Sequence, residues 1–164
     1  LGNFIHRVLS MTYNNFDAKI PKINNLDSYE KRMLENCKKY MDTTKKHLSK
    51  REFRNALKAV MSLAQEGNKY IDAKAPWKQL RKDKNEAALT LHTALTIISN
   101  LKVMMSPFLP FSSLKLGDLI GEDPNEENIW KYKEIKPGTE LKKPTPLFKK
   151  LDEDIVEKEE SKLI

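Results

Sequence analysis

Trp77 directly follows Pro76 in the stretch KYIDAKAPWKQL, and Lys78, Arg81, Lys82 and Lys84 follow within the next seven residues. A flat apolar ring beside closely spaced cations has the makings of a nucleic-acid contact. Bases stack on such a ring, and phosphates pair with the cations. The same ring could peg a helix corner into a core, and these residue types fit either role. Near the N-terminus Asn3 and Arg7 stand one helical turn apart, and both side chains can hydrogen-bond base edges. Asn68 and Asp72 have the same spacing just ahead of the corner. They are expected to tie it by hydrogen bonds rather than to touch RNA. Tyr70, between them, could stack or pack. Pro76 disfavours helix at Ala75, so a helix should end there.

Net charge adds a partner class. The chain is +7 overall, but residues 1–115 carry 21 Lys+Arg against 10 Asp+Glu, a balance of +11. Residues 116–164 carry 9 against 13, a balance of −4. A basic body with an acidic tail suits an anionic partner for the body alone, although a lysine-rich solvated surface fits the charge equally well.

Other chemistries are excluded more sharply. The five glycines form no phosphate-cradling pattern, and His6, His47 and His92 lack metal-ligand spacing. Cys37 is the only cysteine, which excludes a disulfide within the chain and a cysteine zinc site. Its helical spacing with Met33, Tyr40 and Met41 predicts a buried structural thiol. Asp152, Glu153 and Asp154 sit in a solvated charge run and receive no acid–base role. No catalytic residue, metal or cofactor is expected. No apolar run approaches the roughly 18 residues of a membrane span, and no membrane partner is expected. The chain opens without methionine, already in a helical pattern, and reads as a piece of a longer polypeptide, so missing targeting signals say little.

The elements that must hold these residues are helical. A first helix to about Phe16 aligns Phe4, Ile5, Val8, Leu9 and Thr12 on one stripe. Asp27 with Glu30, Ser49 with Glu52, and Asp83 with Glu86 have capping-box spacing, each ahead of an apolar stripe. The second stripe runs through Met33, Cys37, Tyr40 or Met41, Thr44 and Leu48. The third is Phe53, Ala56, Leu57, Val60, Met61, Ala64 and Ile71, and the fourth Leu91, Leu95, Ile98, Leu101 and Met105. A short helix over about 111–119 follows Pro107 and Pro110. The proline-containing stretch after Gly121 predicts a traversing strap rather than a packed element, with Trp130 as an anchor onto the bundle. A last short helix is predicted over 152–162. The reading is all-α: an antiparallel helix bundle over 1–121, and a strap with a short C-terminal helix over 122–164.

Several stretches carry a resemblance. NKYIDAKAPWKQL resembles the helix end and Pro-Trp corner of the anticodon-binding domain of methionyl-tRNA synthetases, and LGNFIHRVLSM resembles its opening helix. REFRNALKAVMSLAQEGNKYID and SPFLPFSSLKLGDLIG are similar to its third helix and proline-rich closing turn. The resemblance covers nearly the whole chain, with the corner as its most specific part. The longer spacer between the first two helices and the tail KPGTELKKPTPLFKKLDED look most like archaeal or eukaryote-type members. It implies a class Ia synthetase anticodon-binding bundle that recognises the methionine anticodon CAU. Trp77 matches the family tryptophan that stacks on the first anticodon base. Arg7 matches an arginine that contacts the anticodon, and Asn3 faces the same way. Lys78 and Arg81 would bind backbone phosphate, with Asn68, Asp72 and Pro76 supporting the site.

The family's His-x-Gly-His and Lys-Met-Ser-Lys-Ser signatures and its cysteine-rich zinc insertion occur nowhere in the chain. By the resemblance, the parent would be a cytoplasmic methionine–tRNA ligase. Its ATP, magnesium and zinc would belong to a catalytic domain outside this non-catalytic piece. Its partners would be tRNA(Met) and that catalytic domain, toward which the strap folds in the family. Two other readings are carried beside it: the corresponding domain of another aliphatic-amino-acid synthetase, and a structural helical adaptor with Trp77 in its core.

Overall fold

The computed structural model describes residues 1–122, 130–148 and 161. Six α-helices form the body: α1 (Gly2–Asn15), α2 (Ser28–Ser49), α3 (Phe53–Lys74), α4 (Pro76–Lys82), α5 (Lys84–Met105) and α6 (Pro110–Leu119). No strand occurs among the described residues; Lys19 and Glu140 form an isolated antiparallel bridge. The predicted helix over 152–162 lies outside the described residues, Ser161 excepted.

α5 is the axis of the bundle and packs against α1, α2, α3, α4 and α6. It buries residues all round, from Ala87 and Leu91 through Ile97 and Ile98 to Met105. The predicted stripe of Leu91, Leu95, Ile98, Leu101 and Met105 is only one side of it. This also corrects the expectation about apolar runs. α5 is long and apolar enough to span a membrane, yet 83% of the qualifying window is buried inside the bundle. Each fully enclosed Leu or Ile contributes about 1.5–3 kcal/mol. α1 buries Phe4, Ile5, Val8, Leu9 and Thr12, the stripe its spacing predicts. In α2, Met33, Leu34, Cys37, Met41 and Thr44 face inward. Burial pushes the Cys37 thiol up to about 12, so it stays protonated and inert.

Of the three capping boxes only one caps. Asp83 accepts from the backbone N–H of Asn85 and Glu86 at the start of α5. Asp27 stands at the N-cap of α2 without a side-chain bond, and the Glu30 side chain is drawn into the protein interior instead of reaching back to the Asp27 N–H. Ser49 is the last residue of α2 and donates to the Lys46 carbonyl, while Glu52 pairs with His47 at 2.5 Å. The residue types matched the motif, but other partners took them: Tyr70 and Lys74 of α3 for Glu30, and neighbours in sequence for Ser49 and Glu52.

The α3 stripe is also narrower than predicted. Ala56, Val60, Ala64 and Ile71 are buried, whereas Phe53, Leu57 and Met61 are exposed. These three form an i, i+4, i+8 ridge on the flank of the buried face. α1 meets α3 in its C-terminal half, where Phe4 lies against Gly67.

The described strap is extended, as expected, but it is packed. Ile135 and Leu141 enter the core, and Trp130 and Tyr132 lie against it. Buried Asn100 of α5 donates to the Lys133 carbonyl at 2.8 Å and accepts from its N–H at 3.1 Å. Gly121, at φ 72, lets the strap cross close by: a Cβ there would meet the Glu140 carbonyl oxygen at 2.2 Å. Such a pattern of contacts by backbone groups leaves little hydrophobic periodicity to read.

Candidate nucleic-acid interface

The corner is built by one alanine and one proline. Ala75 adopts φ 48, ψ 61, the left-handed region, and serves both as C-cap of α3 and N-cap of α4. Its N–H still reaches the Ile71 carbonyl at 2.9 Å, and its own carbonyl accepts from Lys78 N–H at 2.8 Å. Pro76 then occupies the first position of α4, where a missing N–H costs nothing. The short helix α4 itself was not anticipated. Its seven residues are too few for a periodic signal, and they held only the look of a polar connector.

Pro76 is buried, and Trp77 faces outward with 39% of its surface exposed. It is neither a core peg nor a free plate. The guanidinium carbon of Arg7 stands 5.1 Å from the ring centroid. Arg7 also donates through Nη2 to Asp72 Oδ1 at 3.1 Å. The ring therefore has a cation on it, in a contact worth about 0.5–1 kcal/mol at an exposed site. α1 comes close enough for this because of Gly67. A Cβ there would stand 2.5 Å from Phe4 Cζ, so the Phe4 ring can lie directly on α3.

The remaining predicted residues fall around this trio. Asn3 is exposed one turn before Arg7 on α1. Lys78 and Arg81 are exposed on α4, and Arg81 lies one turn beyond Trp77 on the same face. Asn68 donates to the Ala64 carbonyl of its own helix at 3.1 Å, while Asp72 reaches across to α1. Tyr70 packs: it is fully buried and donates to Glu30 Oε1 at 2.9 Å.

Sequence reading missed the support behind the corner. Glu30 of α2 is 0% exposed and pairs with Lys74, the last residue of α3, at 2.9 Å. Burial alone would raise its pKa, but the hydrogen bonds from Lys74 and Tyr70 win and hold the carboxyl below its ordinary value. Behind α4, the Thr90 hydroxyl of α5 donates to Gln79 Oε1 at 2.9 Å. A signal for Glu30 did exist: it lies three, four and seven residues before Met33, Leu34 and Cys37, on the core-facing stripe of α2. The capping motif gave it another explanation. Among the described residues, no group of three or more His, Cys, Asp or Glu could hold a metal ion.

Comparison with known proteins bears on this geometry. A family model described as the anticodon binding domain of methionyl tRNA ligase matches residues 20–163. The methionine–tRNA ligase of Pyrococcus abyssi is 37% identical over 154 residues, covering 94% of this chain and 21% of that protein. That of Dehalococcoides mccartyi is 41% identical over 163 residues, covering 99% of this chain and 30% of that protein. Mycobacterium tuberculosis methionyl-tRNA synthetase in complex with methionyl-adenylate has the same fold, with a TM-score of 0.84 at 25% identity. The match covers 92% of this chain and 30% of that one. Its apo form gives a TM-score of 0.86 at 24% identity, over 93% and 32%. The chain thus spans 21% of the length of the Pyrococcus abyssi relative. From the family model and these relatives together, the chain belongs to the anticodon-binding domain family of methionyl-tRNA ligases.

Proposed function

We propose that this chain reads the CAU anticodon of tRNA(Met) for a methionine–tRNA ligase, with Trp77 as the plate on which an anticodon base stacks. The observation that carries the reading is the posture of Trp77. An aromatic ring stands partly exposed at a proline-fixed corner, with Arg7 over it and Lys78 and Arg81 beside it. Arg7 covers one side of the ring, so a base stacks on the other. Arg7 spends one N–H on Asp72, and a guanidinium has five, which leaves donors for base edges. Asn3 faces the same approach, and Lys78 and Arg81 neutralise backbone phosphate. The wider parent is cytoplasmic in this reading. Its ATP, magnesium and zinc chemistry belongs to a catalytic domain elsewhere in the polypeptide, which is the chain's second partner.

Binding of a CAU anticodon stem-loop and of a single-base mismatch loop tests this directly. Trp77→Ala should weaken the CAU complex by about 1–3 kcal/mol, the worth of one base on an aromatic. Arg7→Ala should cost a similar amount, about 1–3 kcal/mol, and relax discrimination at one anticodon position. Affinity should also fall steeply with salt, because the basic body releases counterions from the phosphates it meets. Unchanged affinity and selectivity in both variants would remove the reading.

A further inference from the structure

The feature the proposed function does not use is the buried carboxylate of Glu30. It is an expensive group to enclose, because a charge taken out of water must be compensated by partners. One oxygen has two: Oε1 accepts from Tyr70 at 2.9 Å and pairs with Lys74 Nζ at 2.9 Å. Oε2 is buried with no hydrogen-bond partner among the described residues. A core ion pair with one carboxylate oxygen unpaired is weak evidence that stability is its role. An apolar residue of similar volume would serve at least as well.

Its location suggests what it does instead. Lys74 is the last residue of α3, directly before Ala75, whose left-handed backbone redirects the chain into α4. Lys74 also lies 5.9 Å from the centroid of Tyr29, whose ring meets Tyr70 edge-on at 5.3 Å. Arg32 approaches the same Tyr29 ring at 5.5 Å. On the other side of the corner, Gln79 of α4 accepts from Thr90 of α5. The two turns flanking Trp77 are therefore each held from within: α3 at Lys74, by α2, and α4 at Gln79, by α5. An ion pair has a directional optimum that apolar packing lacks, and a single α3 residue carries it to the corner.

We propose that Glu30 is a positioning residue for RNA recognition: by holding Lys74 and Tyr70 it sets the angle at which the α3–α4 corner presents Trp77. It touches no RNA itself, and the inference rests on the reading of Trp77 as the stacking plate.

A double-mutant cycle between Glu30 and Trp77, read as affinity of the full 164-residue chain for the CAU stem-loop, separates this role from general stability. Glu30→Gln keeps the shape and the Tyr70 bond but removes the charge that holds Lys74. Alone it should weaken binding about five- to tenfold, a coupling in the usual range for residues in one network. In a Trp77→Ala background the same change should cost less than about twofold, because the plate it positions is gone. Lys74→Arg, which keeps the cation, should retain most of the affinity. If Glu30→Gln does not fold by circular dichroism, the paired change Glu30→Met with Lys74→Met, which leaves no unpaired buried charge, takes its place in the cycle with the same expectation. Equal losses in both backgrounds would make the carboxylate a stability element only and overturn the proposal. So would full affinity in Glu30→Gln when Trp77→Ala binds weakly. If Trp77→Ala itself binds normally, the stacking reading fails and this inference falls with it, an outcome that arm alone reveals.

Discussion

Trp77 and Phe111 are both exposed aromatic rings near opposite ends of α5, and they are held very differently. Trp77 lies near the start of α5, where Gln79 meets Thr90. Phe111 and Leu114 lie on α6, which is tied to the far end of α5 where Ser113 donates to the Lys102 carbonyl at 2.7 Å. Twelve residues separate Thr90 from Lys102, so the two attachments are about 18 Å apart along the helix axis. Phe111 is the more exposed ring, at 85% against 39%. Exposure alone would therefore favour Phe111 over Trp77 as a contact surface. What distinguishes Trp77 is constraint. A proline fixes the backbone before it, Arg7 covers one face of its ring, and hydrogen-bonded pairs hold both flanking turns. A fixed plate loses little rotamer freedom on binding, and preorganisation of that kind is where affinity is gained.

The largest way to break the contrast is to move α1. Phe4→Ala empties a fully enclosed site over Gly67 and should cost about 3–5 kcal/mol of stability in chemical denaturation. A cost below about 1 kcal/mol would mean that α1 is not fixed against α3 by that ring. The direct comparison comes next. Trp77→Ala should lose about 1–3 kcal/mol of stem-loop binding, while Phe111→Ala should leave it unchanged. Phe111→Ala should also stay within about 0.5 kcal/mol in stability, as an exposed position does. Equal binding losses would erase the distinction between the two ends.

Acid sharpens the account of what lies behind the corner. The Glu30 carboxyl titrates below its ordinary 4.5 in the folded chain, so the unfolded chain binds its proton more readily. Its contribution is therefore present above that pH and is lost as pH falls through the folded value. Glu30→Gln should flatten the loss of stability measured in urea between about pH 6 and pH 3. An unchanged acid slope would mean other carboxylates govern it. Among the changes expected to move stability, the smallest is at Ala75. Glycine tolerates the left-handed backbone there, and Ala75→Gly should raise stability by about 0.5–1 kcal/mol. A loss instead would show that the chain entropy of glycine outweighs the relieved strain.

Much of this protein was written locally. Helix positions follow from apolar residues recurring every three or four positions, and the end of α3 follows from Pro76 crowding the residue before it. Both are interactions over a few residues, so sequence alone determined the all-helical bundle and the Pro-Trp corner. Asp83 was legible as a cap for the same reason. Tertiary structure decided whatever needed a choice among distant partners. It sent Glu30 inward to Lys74 and Tyr70 rather than to its own helix start, because a cation and a phenol beside it outbid one backbone N–H. It left Phe53, Leu57 and Met61 outside, on the flank of the face that α3 turns to its partner helices. It placed Arg7 on Trp77, residues 70 positions apart, through the space that Gly67 leaves for Phe4. No local pattern encodes a contact at that separation. It exists only once the core has closed and set the helices against one another.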